Sequence, residues 1–466
     1  MSLIDAGYLV LVLGYSGALI AGGLWLSRGV RSTKDFFVAG RDLPAGLIFS
    51  TFLAANIGAG STVGATGRGY EQGLSAVWWV GSAGLGSLVL AFWIGPKIYE
   101  FARAHNLYTV GDYLELRYSR GVRLFFASLL WIGSLFILAG QLIAIAWILN
   151  VCAGLPKALG CLLGGLVVAA YFAAGGLKTT AWLNVIQLSL KMLGFFVVVP
   201  WALTKIGGWS ALETPTAPAG YLSPVGIGPK GVFSYLVIFL PNFFISPGLL
   251  QKLYGARDAS AVRWGVGAQA LGLLAYAPLP AILGMVAHSA YPGLLNPELA
   301  LPTVLKEMLP WWMGALLLGA VFSAELSASD AILFMLSTSL SKDLYKGYLN
   351  PGASEDTLLR VARYAALGAG LAGVALAVLL PSVVAALTVF YGLLTVVLLV
   401  PLLAGLYLRF PTAGAATATM VSGGLVAVAA QFLTDGRGLG ILNPVALGII
   451  AGIAVMTTFG VIHHAK

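Results

Sequence analysis

Hydrophobic residues in this chain run in long blocks, not in the alternation of a half-buried strand or the stripe of a surface helix. A helix that crosses a bilayer needs about 20 mainly apolar residues. On that measure the sequence predicts thirteen spans: 7–27, 44–67, 74–95, 122–149, 156–174, 182–204, 232–253, 263–289, 310–341, 359–380, 384–408, 412–433 and 441–462. Arg28, Arg31, Lys34 and Arg41 fall in the loop 28–43, and Lys97, Arg103, Arg117 and Arg120 in 96–121. Lys252, Arg257 and Arg263 fall in 252–263, and Lys342, Lys346 and Arg360 in 342–360. These are alternate loops, and those between them are poorer in Lys and Arg. The positive-inside rule then sets the N-terminus outside and the C-terminus inside, which requires an odd number of spans.

Composition agrees with a polytopic membrane protein. Of 466 residues 59% are hydrophobic and only 9% charged, with mean hydropathy +0.92; a soluble protein is about 25% charged. No charged leader with a small-residue cleavage site precedes the first apolar block, which is read as a retained span. The net charge of +9 is explained by the loops, and no basic-aromatic module for nucleic acid appears. Cys152 and Cys161 suit no metal pattern and read as small buried hydrophobes. The four histidines are scattered.

Two spans are interrupted. The second contains AANIGAGSTVGATG, residues 54–67, with glycine at 58, 60, 64 and 67; the seventh contains FLPNFFISPG, residues 239–248, with Pro241 and Pro247. Broken backbone at membrane depth is tolerated only where protein satisfies it or it lines a cavity. An isolated glycine is explained by close helix packing. Two breaks five spans apart, at corresponding positions of two halves, point to a transporter's binding site at the midplane. Ionisable residues fall in the same apolar territory: Lys191 in QLSLKMLGFFVVV, and Glu325 and Asp330 in VFSAELSASD. Such groups are costly in a membrane and mark function by default.

Several stretches are similar to the sodium:solute symporter family: DFFVAGRDLPAG, AANIGAGSTVGATGRGY, YTVGDYLELRY, AAGGLKTTAWLNVIQ, FISPGLLQKLYGARD and LSKDLYKGY, in family order over nearly the whole chain. The resemblance implies a LeuT-like all-α fold. In it an additional helix at 7–27 precedes two inverted repeats, 44–204 and 232–408, with broken second and seventh spans, and two additional helices follow within 412–462. It implies one transporter domain in the plasma membrane, secondary transport by alternating access, and no enzyme activity or cofactor. The coupling ion would be Na+ or H+. Matched residue by residue, the family's sodium site puts carbonyl ligands on Ala54, Ile57 and Ala324, and hydroxyl ligands on Ser327 and the next position. Sodium, a hard cation, wants a shell of oxygens. The next position is Ala328, where the family usually has Ser or Thr, so one ligand oxygen is missing. In WLNVIQ, Asn184 stands where the family usually has an aspartate on the inner ion pathway.

Lys191 lies seven residues after Asn184, on nearly the same helix face and roughly 10 Å further along the axis. That brings it to the level of the sodium site. Glu325, three residues before Ala328, shares its face. Two readings stand. In one, the Lys191 ammonium replaces the ion, with Glu325 or Asp330 as countercharge, and transport is proton-coupled or sodium-independent. In the other, Lys191 and Glu325 form a static buried pair in a conventional sodium-coupled symporter. Snorkelling is disfavoured for a lysine so near mid-span.

For the solute, Asn56, Gly58 and Ser61 fall in the first break, and Asn242 and Phe243 in the second. Gln141 is polar inside FILAGQLIAIAW, though an interhelical hydrogen bond would explain it as well. Phe390 and Tyr391 come from the eleventh span. Aromatics with a few polar groups suit a small organic solute. Sugar-transporting relatives carry a glutamine near Ser61 and a glutamate near Val80; both are missing here, which disfavours a sugar. A small carboxylate or amino acid is the expectation, since half-helix N-termini hold carboxylates. Three other classes compete. A membrane solute sensor would show binding without flux, and the chain ends at VIHHAK with no signalling domain. A membrane enzyme lacks its cluster of His, Cys or paired carboxylates. A channel is disfavoured by the broken-helix pattern.

Overall fold

The computed structural model describes residues 41–173 and 177–464 and, within 7–21, residues 7, 8, 10, 14, 17, 18 and 21; the side chains of 170–184, 186, 187 and 462–464 are outside that description. The expected first span, 7–27, therefore lies largely outside the described residues. What is described is helical; β-structure is confined there to the isolated bridges Leu43–Ala256 and Leu439–Leu442. Ten helices among the described residues are long and apolar enough to cross a membrane.

Polar residues set the helix ends. Ser119 caps α6 (Arg120–Ala153), Asp258 caps α11 (Ala259–Tyr276) and Ser354 caps α15 (Glu355–Leu379). Each side-chain oxygen accepts an otherwise orphaned N–H of the first turn. Asp258, for example, accepts from Ala261 N at 2.7 Å. A reciprocal capping box of Thr109 and Asp112 starts α5 (Val110–Arg117), a helix inside what the sequence reads as the loop 96–121. The span expected to end at 95 also continues: a π turn at Leu90–Ile94 leads straight into α4 (Gly95–Ala104). The Gly95 N–H reaches back to the Leu90 carbonyl, so Pro96, which lacks a donor, enters at the first turn of α4, where it is tolerated.

α1 (Ala45–Asn56) ends at Ile57. Helical structure resumes as a π turn at Gly60–Gly64, which feeds α2 (Ala65–Gln72). α9 (Gly228–Ile245) and α10 (Pro247–Tyr254) meet at Ser246. Pro241 is carried inside α9, so of the two prolines in FLPNFFISPG only Pro247 marks a helix start. α1 packs against α8 (Leu177–Ile206), α11 and α14 (Trp311–Thr338). α14 is buried over most of its length, while α15, α17 (Ala413–Leu433) and α18 (Pro444–His464) turn much of their apolar surface outward. That surface needs lipid, not water, as its solvent.

Candidate functional site

The site forms where the interruption after α1 meets the junction of α9 and α10. Next to them lie α3 (Val77–Val89), α6, α14 and α16 (Val383–Tyr407). Between Asn56 and Gly60 the regular ladder is interrupted, and side chains meet part of the backbone: Ser61 Oγ donates to the Asn56 carbonyl oxygen at 2.7 Å. The Gln141 carbonyl oxygen accepts from Ala59 N at 2.9 Å. Gln141 is 4% exposed and so joins α6 to the break. Position 58 must be glycine: a Cβ there would stand 2.7 Å from the Ala328 Cβ and 2.9 Å from Gln141 Oε1.

A cavity of about 100 Å3 opens at this junction. All seven side chains expected to bind solute line it: Asn56, Ser61, Gln141, Asn242, Phe243, Phe390 and Tyr391. Its wall is aromatic. Trp79 and Phe239 lie 4.3 Å apart between ring centroids, and Phe239 stands edge-on to Tyr391 at 5.2 Å. Asn242 Nδ2 donates to the carbonyl oxygens of Ile238 (2.5 Å) and Tyr391 (2.9 Å) and lies 2.6 Å from Thr395 Oγ1. Those acceptors fix the amide's orientation and leave Oδ1, which is buried, without a partner. Asn56 Nδ2 is likewise buried and unpartnered.

The residues matched to the sodium site fall on two helices that pack together. Ala54, Ile57 and Ala324 are fully buried and Ser327 is 4% exposed. Lys191 reaches the same region from α8. Its side chain is buried, and its Nζ donates to the Ile57 carbonyl oxygen at 3.4 Å. Glu325 is completely buried; Oε1 accepts from Thr62 Oγ1 at 2.7 Å, and Oε2 has no partner. Glu325 is the carboxylate whose charge acts on Lys191, yet no described ion pair within 4.0 Å joins them.

The charge of Asp330 acts on a different cation, Lys252. Reading Lys252 as a loop residue is wrong. It lies in α10, is 6% exposed and lines the cavity. The sequence carries a signal for this: Lys252 follows the helix start at Pro247 by less than two turns, and Leu249, Leu250, Leu253 and Tyr254 around it are buried. Trp79, Phe239 and Thr62 are further site residues that the sequence reading passes over; Thr62 adjoins Ser61 in the same break. The Asn184 side chain lies outside the described residues.

Ten membrane-length apolar helices around a cavity with an aromatic wall and a few polar side chains are the architecture of a transporter. The chain matches the model of the sodium:solute symporter family over residues 36–423, and it belongs to that family. It is similar to a sodium/glucose cotransporter of Vibrio parahaemolyticus, 26% identical over 399 residues that take in 76% of this chain and 71% of that one. It is also similar to a sodium/pantothenate symporter of Escherichia coli (strain K12), 27% identical over 474 residues, 97% of this chain and 95% of the other. Among solved structures, a substrate-bound outward-open Na+-coupled sialic acid symporter superposes with a TM-score of 0.82 at 19% identity, covering 100% of this chain and 98% of that one. That likeness carries the LeuT-like fold. The chain is thus a multi-pass secondary transporter of small-molecule solutes, not an enzyme.

Proposed function

We propose that this transporter carries a small organic solute by alternating access, with the Lys191 ammonium standing where its relatives hold a sodium ion. The observation that carries this reading is the contact of Lys191 Nζ with the Ile57 carbonyl oxygen, 3.4 Å, one of the oxygens matched to the family's sodium shell. An ammonium is a compact cation with three donors; next to Ile57 it supplies the positive charge the site is built around. Ala328, which offers no side-chain oxygen, removes one hydroxyl ligand from a competing sodium ion. Glu325 is the countercharge, held to Thr62 on one oxygen and free on the other. That free oxygen can take a proton, which makes Glu325 the group through which a proton gradient would act. The wider scheme has thirteen spans, ten of them in two inverted five-span repeats, with the N-terminus outside. The alternating charge of the loops and the two helix interruptions support it.

The static-pair reading, with sodium coupling retained, draws less support, because no described ion pair, N···O within 4.0 Å, joins Lys191 to Glu325. The test needs no knowledge of the solute. A ligand that binds only the folded state raises its stability by mass action. Purified wild type should melt at the same temperature in sodium chloride and in choline chloride, and should retain no radiosodium. Lys191→Ala combined with Ala328→Ser should acquire a sodium response. Sodium stabilisation of the wild type, or strictly sodium-dependent uptake into proteoliposomes, would falsify the substitution of lysine for the ion.

A further inference from the structure

The cavity lining says more about the solute than its size and aromatic wall. Lys252 is the one charged side chain among the described lining residues, and no carboxylate belongs to that lining. The Lys252 ammonium is short of acceptors. Its one described hydrogen bond goes to the Thr51 carbonyl oxygen at 3.5 Å, the outer limit of such a bond, and among the described residues no carboxylate oxygen lies within 4.0 Å of it. Asp330, whose charge acts on Lys252, is buried outside the lining. A cationic solute would meet a like charge here with no countercharge facing it. An anionic solute would find a desolvated cation with spare donors, the setting in which charge-assisted hydrogen bonds are strongest.

Asn242 adds a second requirement. Its side chain is 1% exposed, its Nδ2 is committed to neighbouring oxygens, and its Oδ1 has no partner. A buried acceptor left unpaired is costly, and a solute N–H or O–H would satisfy it. Asn56 Nδ2, the matching orphan donor, would take a solute oxygen.

We propose that the solute is a small organic carboxylate that also carries a hydroxyl or amide N–H, with Lys252 binding the carboxylate and Asn242 Oδ1 accepting from the N–H or O–H. This rests on the transporter reading of the cavity, and it does not depend on which ion drives transport.

The test is binding to purified full-length protein, by calorimetry, in buffers with and without sodium. The probes are N-acetylglycine and 3-hydroxybutyrate, the neutral amide of each, butyrate, and choline. The two functionalised carboxylates should bind, their amides roughly 10- to 100-fold more weakly, as loss of a charged hydrogen-bond partner implies. Butyrate, which offers Asn242 no donor, should also bind more weakly, and choline should not bind. Lys252→Met should abolish the preference for carboxylate over amide, and Lys252→Arg should keep it. Because Lys252→Met leaves the buried Asp330 without a countercharge, Lys252→Met with Asp330→Asn provides a neutral background for the same comparison. Amides or choline binding as tightly as the carboxylates would overturn the proposal. So would an unchanged carboxylate preference in the Lys252 variants, or no carboxylate binding at millimolar concentration. Carboxylate binding that requires sodium would leave this proposal standing and sink the reading of Lys191; sodium-independent binding of the amides alone would do the reverse.

Discussion

At the scale of single residues, the site is governed by what each buried polar atom has to do. Gln141 gives its carbonyl oxygen to the Ala59 N–H, and Thr62 gives its hydroxyl to Glu325. Gly58 has a steric role. It lets α14 and α6 approach the break so closely that a methyl group would overlap the Ala328 Cβ at 2.7 Å. Gly58→Ala must push Ala328 or Gln141 away, and overpacking of this kind costs about 1–3 kcal/mol. The variant should express with a lowered melting temperature and should lose solute uptake out of proportion to its loss of stability. Uptake at wild-type rates would contradict the close contact at Gly58.

At the scale of elements, short helices at one end of the bundle are joined by a charged cluster. Arg123, near the start of α6, contacts Asp343 in the π-helical extension of α14 at 2.8 Å, and Asp112 and Glu115 of α5 at 2.9 and 2.6 Å. Thr109 adds a hydrogen bond to Asp343 at 2.7 Å. Gly111 packs directly on the same carboxylate. The Arg123 side chain is only 11% exposed, so its interactions escape the screening that makes surface pairs weak. Removing one member of a buried charged cluster leaves the others uncompensated and costs on the order of 3 kcal/mol. Arg123→Ala should therefore lower the melting temperature of the purified protein clearly, and Arg123→Lys, which keeps the charge but loses the planar fork, should do so partly. A melting temperature unaffected by Arg123→Ala would show the cluster to be incidental. Away from this cluster, Glu298 accepts from Val383 N, Val384 N and the Trp147 indole, joining the segment before α13 (Ala300–Glu307) to α16 and α6.

For the whole molecule, the proposed topology makes a prediction about sidedness. In that topology the charged cluster at Asp343 lies on the basic, cytoplasmic face, and the turn after α12 (Pro278–Ala290) on the opposite face. Cys152 and Cys161 are both buried, so the background for labelling is low. A cysteine at Lys346 should react with a membrane-impermeant maleimide only in inside-out vesicles, and one at Pro292 only in right-side-out vesicles. The reverse pattern would invert the topology.

Much of this was already written in the one-dimensional pattern. Long apolar blocks make spanning helices because hydrocarbon leaves the backbone no partner but itself. Gly and Pro at 58, 60 and 247 weaken that ladder, and the seven side chains expected to meet the solute, four of them at these breaks, all line one cavity. Those are local properties, and local physics suffices to read them. Pairing across the bundle is different. The sequence offers Lys191 two carboxylates, Glu325 and Asp330, five residues apart. Only the packing of α8 and α10 against α14 assigns Glu325 to Lys191 and Asp330 to Lys252. Lys252 itself looks like a loop charge next to Arg257, because a period of apolar residues says that a helix is buried but not which long side chain ends in its interior. Charge is felt over distances set by three-dimensional packing. The sequence alone therefore determined the fold class and the neighbourhood of the cavity, and only the tertiary structure decided which cation lines that cavity and which reaches the Ile57 carbonyl oxygen.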